Sequence, residues 1–320
     1  MSAQPTLPSL DANFRSNCER VFDAVQSVIT GNPEAITNAM VVLLAQGHLL
    51  VEDVPGVGKT MLAKSLARSL DCTVHRIQFT PDLLPSDVTG VSVYSPQTHE
   101  FTFHPGPIFA NIVIADEINR ANAKTQSALL ECMEEQQVTV DSVTHRLQRP
   151  FMVVATQNPI DSEGTFALPE AQRDRFMGRI SMGYPQREAE VSMLTTHHRD
   201  EPLESLTPVL QQAELQKMIE QVKLVTVTER LGAYVVDLGR ATREHPQVSL
   251  GASPRALLQW VRAAKSYAAI HGRDHVLPED VRAVAVMVLG HRLILTRRAL
   301  ADAVDVEDVV REIISGTPIS

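Results

Sequence analysis

The sequence has only three cysteines, Cys18, Cys72 and Cys132, far apart and without a CxxC pair, so neither a disulfide framework nor a cysteine-based zinc site is expected. A reducing cytoplasm suits such a chain. Long apolar runs are missing too: nothing approaches the ~20 consecutive apolar residues of a membrane span, and the N-terminus lacks the charged-then-apolar pattern of a signal peptide. Positive charge is in deficit, with 29 Lys and Arg against 38 Asp and Glu and a formal net charge of −9, which argues against a general affinity for nucleic-acid backbone. Aromatic residues are 4% of the chain, and its one tryptophan, Trp260, lies on a helical stretch where it reads as core. Internal repeats and low-complexity segments are absent. What remains is an ordinary globular composition, 44% apolar, and 320 residues predict one large and one smaller domain.

The most informative stretch runs from His48 to Leu70. Leu49, Leu50 and Val51 read as a buried strand, and Leu62, Leu66 and Leu70 recur at helical spacing. Between them lies Asp53-Val54-Pro55-Gly56-Val57-Gly58-Lys59-Thr60, a P-loop whose first glycine is replaced by Asp53. Gly56 and Gly58 can take positive φ, so the loop from Pro55 through Val57 to Met61 can turn its backbone N–H groups, from Gly56 onward, around a phosphate at the positive end of the helix. Lys59 is expected on the β- and γ-phosphates and the Thr60 hydroxyl on Mg²⁺. The cofactors implied are ATP and Mg²⁺.

Upstream, Phe14, Cys18, Val21, Phe22, Val25, Val28 and Ile29 form one stripe that predicts a helix ending at Ile29 or Thr30, with Gly31 as its cap. Ile29 and Gly31 then offer an apolar edge and freed backbone to an adenine ring, although a plain helix stop has the same pattern. A second helix is expected from about Pro33 to Gln46.

Downstream, Asn111 to Asp116 is an apolar strand closed by Asp116 and Glu117. In a doubly wound sheet this pair faces the P-loop phosphates, with Asp116 suited to Mg²⁺ and Glu117 to a general base polarising the attacking water. The segment from Asp82 to Pro107 reads as a loop-and-hairpin insertion with strands at Val91/Val93 and Phe101/Phe103. A second hairpin is expected over Val138 to Leu147, turning at Asp141-Ser142. Phe151 to Thr156 is a further buried strand leading to Asn158, whose amide suits the attacking water and a γ-phosphate oxygen or simply a turn before Pro159. Arg173, Arg175 and Arg179 follow, and Tyr184-Pro185 looks like a hinge. Beyond it the periodicity is helical only, with stripes at Leu257, Leu258, Val261, Ala264 and Ala268 and at Val281, Val284, Ala285, Val288 and Leu289. Ser253-Pro254 opens the first of these helices and places Arg255 at its start. His197 and His198 beside Arg199, and His271 and His275, lack the spacing of metal ligands.

Taken together, DVPGVGKT, IVIADEINRA, VVATQNP, LPEAQRDRF and GASPRALL, in this order and spacing, resemble the MoxR family of AAA+ ATPases. The resemblance implies an α/β fold: a P-loop AAA+ αβα parallel-sheet domain over 1–185, with a helix-2 insert near 82–107 and a hairpin before sensor 1 near 138–147, then a small all-helical lid over 186–320. It implies a homo-oligomeric ring, usually hexameric, with Asn158 as sensor 1, Arg255 as sensor 2 and Arg175 as an arginine finger acting on the next subunit's ATP. Arg120 and Arg173 remain rivals of Arg175 for that role. The family's clients are proteins, matured together with partners carrying a von Willebrand factor A domain. A chelatase-type motor, a DNA-dependent translocase and a passive nucleotide switch are the alternatives; Arg146 and Arg149 favour DNA, whereas Asp141 and the acidic chain oppose it.

Overall fold

The computed structural model describes residues 10–54, 56–158, 166, 168–185, 187–188, 190–191 and 202–319. The first helix, α1, spans Phe14–Gln26 and buries Phe14, Cys18, Val21 and Val25. It stops short of the expected Ile29 because the Ser27 hydroxyl donates back to Ala24 O (2.7 Å) and Gly31, at φ 93°, reverses the chain. Val28 and Ile29 are still buried, in the turn rather than on the helix. The next helix, α2 (Pro33–Leu44), starts where Asn32 accepts from the Ala35 N–H (3.0 Å) and Pro33 presets the first turn.

A five-stranded sheet of order β2-β5-β8-β1-β9 follows, with β1 Leu49–Glu52, β2 Val74–Gln78, β5 Ile112–Asp116, β8 Met152–Gln157 and β9 Gly178–Ile180, all ladders parallel. Alternation along β5 divides the core. Ile112 and Ile114 face a cluster built with α1, α2 and α3 (Lys59–Ser69), whereas Val113 and Ala115 face a second one with α5 (Ala123–Glu135). That double burial is why β5 reads as an unbroken apolar run. The first cluster continues without a break into the lid helices through Trp260, Val281 and Val288.

Two hairpins leave this body: β3 (Gly90–Ser95) with β4 (Glu100–Pro105), and β6 (Gln137–Val140) with β7 (Val143–Arg146). Asp141 and Ser142 both take positive φ at the second turn, as a two-residue loop of the right twist requires. The hairpins touch where Phe103 stacks on His145, ring centroids 4.0 Å apart. Within the insertion expected over Asp82 to Pro107 as loop and hairpin, Pro85–Thr89 forms a short helix, α4, because a proline at the first helical position preorganises the turn and Asp87 accepts from the Leu84 N–H (2.9 Å).

Among the described residues after β9 the elements are helical, apart from a two-stranded ladder between Val248–Leu250 and Ile294–Leu295 and a single bridge between Thr226 and His275. The Pro254–Ile270 helix buries Ala256, Trp260, Ala263, Ala264 and Ala268, and Trp260 Nε1 donates to Val281 O (2.7 Å). Its inward face is therefore rotated from the expected stripe, and Leu258 is 70% exposed. The second stripe is buried as expected, over two short helices, Pro278–Ala283 and Ala285–Leu289. Among the described residues no helix is long and apolar enough to cross a membrane.

Candidate active site

The carboxyl ends of β1, β5 and β8 bring most of the expected residues together. Gly56 (φ 88°) and Gly58 (φ 90°) turn the loop after β1; a Cβ on Gly56 would meet nothing within 4 Å, so backbone sign and not space requires the glycine. Gly58 is the N-cap of α3 and supplies no side-chain cap, leaving the N–H groups of Lys59, Thr60 and Met61 at the helix start to serve an anion. Lys59 Nζ donates to Asp53 O (2.6 Å) and Gln157 O (3.4 Å), both main-chain carbonyls. Burial draws its ammonium below the ordinary lysine range against the pull of Asp53, Asp116 and Glu117, which raises the gain from meeting a phosphate.

Asp53, the residue in place of glycine, keeps a negative φ and is put to use. Its Oδ1 accepts from the Val54 N–H (2.8 Å), and its Oδ2 accepts from the Ser181 hydroxyl (2.9 Å) and the Met182 and Gly183 N–H groups (2.6 Å each). Burial opposes the carboxylate, but these donors together hold Asp53 below the usual aspartate range. The P-loop is thereby latched to the chain leaving β9. Beside it, Ile29 Cδ1 and Met182 Cε stand 4.0 and 3.9 Å from where a Gly58 Cβ would be, so the structure brings Ile29 to the loop. Gly31 follows in the same turn, and Pro55 lies outside the described residues.

Across the loop, Thr60 Oγ1 is 3.3 Å from Asp116 Oδ2, and the Thr156 hydroxyl donates to Asp116 Oδ1 (3.1 Å). Arg76 Nε pairs with Asp116 Oδ2 at 2.5 Å. Glu117 adopts φ 56°, ψ 48°, a left-handed conformation costing about 1 kcal/mol, held by donation of its N–H to Thr156 Oγ1 (3.0 Å). The Gln78 amide donates to its Oε2 (2.8 Å), and Arg120 Nε lies 3.2 Å away. The β1–β8 register pairs Glu52 with Gln157, so buried Asn158 stands one residue further along the same edge. This donor set fits a magnesium-bound triphosphate: a free helix start, a lysine, and a hydroxyl beside a buried carboxylate.

Arg175 and Arg255 are elsewhere. Both side chains meet Glu134, near the end of α5: Arg255 through a hydrogen bond to Oε1, and Arg175 Nε as an ion pair 3.3 Å from Oε2. The neighbouring Met133 O accepts from His48 Nε2–H (3.0 Å), and His48 precedes β1 whereas the P-loop follows it. The length of β1, ~13 Å at ~3.3 Å per residue, therefore separates the pair from the P-loop of the same chain. Arg255 does stand at the helix start that Ser253 caps, as expected, and in this structure its guanidinium meets Glu134 and not the P-loop of the same chain. Arg173, partly buried, ends the short Glu170–Arg173 helix just before Arg175, and Arg120 stays with Glu117.

The residues that the sequence reading missed, Arg76, Gln78, Thr156 and Glu134, lie in ordinary strand and helix patterns. Only the β2–β5 register, which sets Gln78 opposite Asp116, reveals the first two. The cysteines are free and buried or half-buried, with thiols pushed up to about 12 by burial. No cluster of metal-ligating side chains of the His/Cys/Asp/Glu kind is found among the described residues; His197, His198 and Arg199 fall outside them.

Residues 48–178 match the family model described as "ATPase family associated with various cellular activities (AAA)", and 240–313 match the AAA lid domain. Chaperone MoxR1 of Mycobacterium tuberculosis is 43% identical over 92% of this chain and 80% of its own length. The chain belongs to the MoxR family of AAA+ ATPases. A further MoxR relative, Protein MoxR of Paracoccus denitrificans, is 30% identical over 90% of this chain and 92% of its own. The uncharacterized protein YeaC of Bacillus subtilis reaches 46% over 94% of both. Among solved structures, a candidate ATPase from Cytophaga hutchinsonii superimposes with a TM-score of 0.89 at 38% identity, covering 96% of each chain. The MoxR fold, a parallel-sheet AAA domain followed by a helical lid, is thus shared by sequence and by structure.

Proposed function

We propose that the chain hydrolyses ATP in a homo-oligomeric, hexameric ring and uses the cycle to remodel client proteins. The observation that carries this reading is the meeting of Lys59, Thr60, Asp116 and Glu117 at one sheet edge around an uncapped helix start. The main-chain N–H groups from Gly56 to Met61 and the Lys59 ammonium hold the phosphates; Ile29 and Gly31 border the base. Thr60 and Asp116 hold Mg²⁺, which when bound neutralises charge on the phosphates. Glu117 takes the proton of the attacking water, and Asn158 orients that water against the γ-phosphate. The reaction needs charge neutralisation more than covalent help, and Arg175, with Arg255, supplies it to the ATP of the adjacent subunit.

The division between the ATPase unit and the lid is placed near residue 185, after the Asp53 latch, so that nucleotide chemistry is felt at the hinge. The client contact is assigned to the β3–β4 hairpin, where Phe101 is 72% exposed beside Tyr94. A von Willebrand factor A partner is supported by the family resemblance, and a cytoplasmic location by the three free, unpaired cysteines. The test is ATP turnover measured against protein concentration, alongside sedimentation. Specific activity that climbs as oligomers form supports the ring; equal specific activity in a stable monomer contradicts it.

A further inference from the structure

Arg292 follows the Ala285–Leu289 helix of the lid, and its side chain is 3% exposed. A guanidinium so deeply buried is costly unless each donor is met. Here they are: Nε donates to Asp174 Oδ1 (2.8 Å), Nη1 to Met177 O (3.0 Å) and Val288 O, and Nη2 to Asp174 O (3.2 Å), Phe176 O (2.5 Å) and Gln259 Oε1. Most of these acceptors belong to the turn from Asp174 to Met177, the turn that carries Arg175. His291 adds Nε2–H to Phe176 O (3.0 Å). Burial, with Arg292 adjoining, keeps that imidazole neutral and so in the form that donates at Nε2 and not at Nδ1.

The same network reaches Arg255. Ser253 Oγ donates to Asp174 Oδ2 (3.3 Å), and Ser253 is also the N-cap of the helix whose second residue is Arg255. Asp174 thus joins Arg292 to both exposed arginines. Arg292 spends its charge inward, whereas Arg175 and Arg255 leave 31% and 43% of their side chains exposed and share one carboxylate, Glu134. A planar fork with donors in several directions suits this junction, and a lysine ammonium does not span it.

We propose that Arg292 is a positioning residue: with Asp174 it fixes the Arg175 turn to the lid, so that Arg175 and Arg255 are offered to the neighbouring subunit's nucleotide as one rigid pair. The proposal rests on the reading that Arg175 acts across the interface. Loss of Arg292 then slows hydrolysis at the neighbour's P-loop and spares the subunit's own. Misplacement of a catalytic group by ~1 Å costs on the order of 10²-fold in rate, and Arg292→Gln is expected to lower kcat by about that much with little change in KM for ATP.

The decisive experiment mixes variants of the full chain and reads turnover per intact P-loop. Arg292→Gln is combined with excess Glu117→Gln, whose own site cannot turn over but whose arginines are intact; Arg175→Ala with Glu117→Gln is the reference mixture. Recovery of near wild-type turnover in both mixtures supports the proposal. Recovery in the reference mixture alone overturns the role of Arg292 and leaves the cross-subunit reading standing. Recovery in neither overturns that reading and the proposal with it. Asp174→Asn, which keeps an acceptor oxygen opposite Arg292, replaces Arg292→Gln in the same mixtures if the latter melts below assay temperature.

Discussion

The two ends of the central sheet carry opposite inventories. At the carboxyl edge, Asp53, Asp116 and Glu117 surround one lysine and a free helix start; at the amino edge, Arg175 and Arg255 share Glu134. On the proposed function each edge is half of a phosphoryl-transfer site, and the length of β1 keeps the two edges of one chain apart. Two unlike halves on opposite sides of a subunit complete each other only head to tail, the arrangement that closes into rings. On the proposed function, the difference between the edges makes the rate of hydrolysis depend on assembly.

The largest expected effect breaks the arginine edge alone. Arg175→Ala should lower kcat by ~10³–10⁵-fold with ATP binding retained, read by steady-state turnover and by equilibrium nucleotide binding on the same preparation. If binding falls together with rate, Arg175 belongs to the binding half and the division of labour fails.

His48 tests how the arginine edge is anchored. Buried between Met133 O and the Val153 N–H, its imidazole is lowered to about 4, first by burial, with Arg262 adding and the Met133 bond opposing. Its ordinary value is 6.5. Below that pH the unfolded chain takes up the proton first, so stability is complete above ~6.5 and falls as pH drops toward ~4, by about 3 kcal/mol in all. Urea melts between pH 7 and 4 should show this slope, and His48→Gln should lose that part of it. A wild-type chain with no loss of stability over the interval would contradict the assignment.

At the nucleotide edge, Lys59→Ala should weaken ATP about 10–100-fold, the worth of one charge-assisted contact, measured by calorimetry; unchanged affinity would remove the lysine from the phosphates. Smallest is Asp53→Asn, whose one amide oxygen can still accept from Ser181, Met182 and Gly183 as neutral bonds while its NH2 gives up the bond from the Val54 N–H. About 1 kcal/mol of stability should go, seen as a lower melting temperature, and a variant as stable as wild type would make the latch incidental.

The nucleotide edge was legible in the sequence because its parts are local. A glycine loop between strand and helix and an apolar strand closing on Asp116-Glu117 each announce themselves within about ten residues. The arginine edge was not, because it is assembled from separate segments: Glu134 ends one helix, Arg175 sits in a turn, Arg255 opens a lid helix and Arg292 follows another. The motif named Arg255 correctly as a residue at a helix start, but which end of the sheet that start faces depends on lid packing. The same packing, led by Trp260, turned Leu258 outward from a stripe that its spacing predicts to be buried. Gln78 and Arg76 were silent because a strand's polar residues disclose their partners only through register.

A structure of the Glu117→Gln oligomer with ATP and magnesium decides whether the two edges meet across subunits. The γ-phosphate should lie at Gly58, Lys59 and Asp116 of one subunit, with the Arg175 guanidinium of its neighbour within hydrogen-bond distance, ~3 Å. Arg175 still paired to Glu134 in every subunit, or phosphates resting away from Gly58, would contradict that meeting.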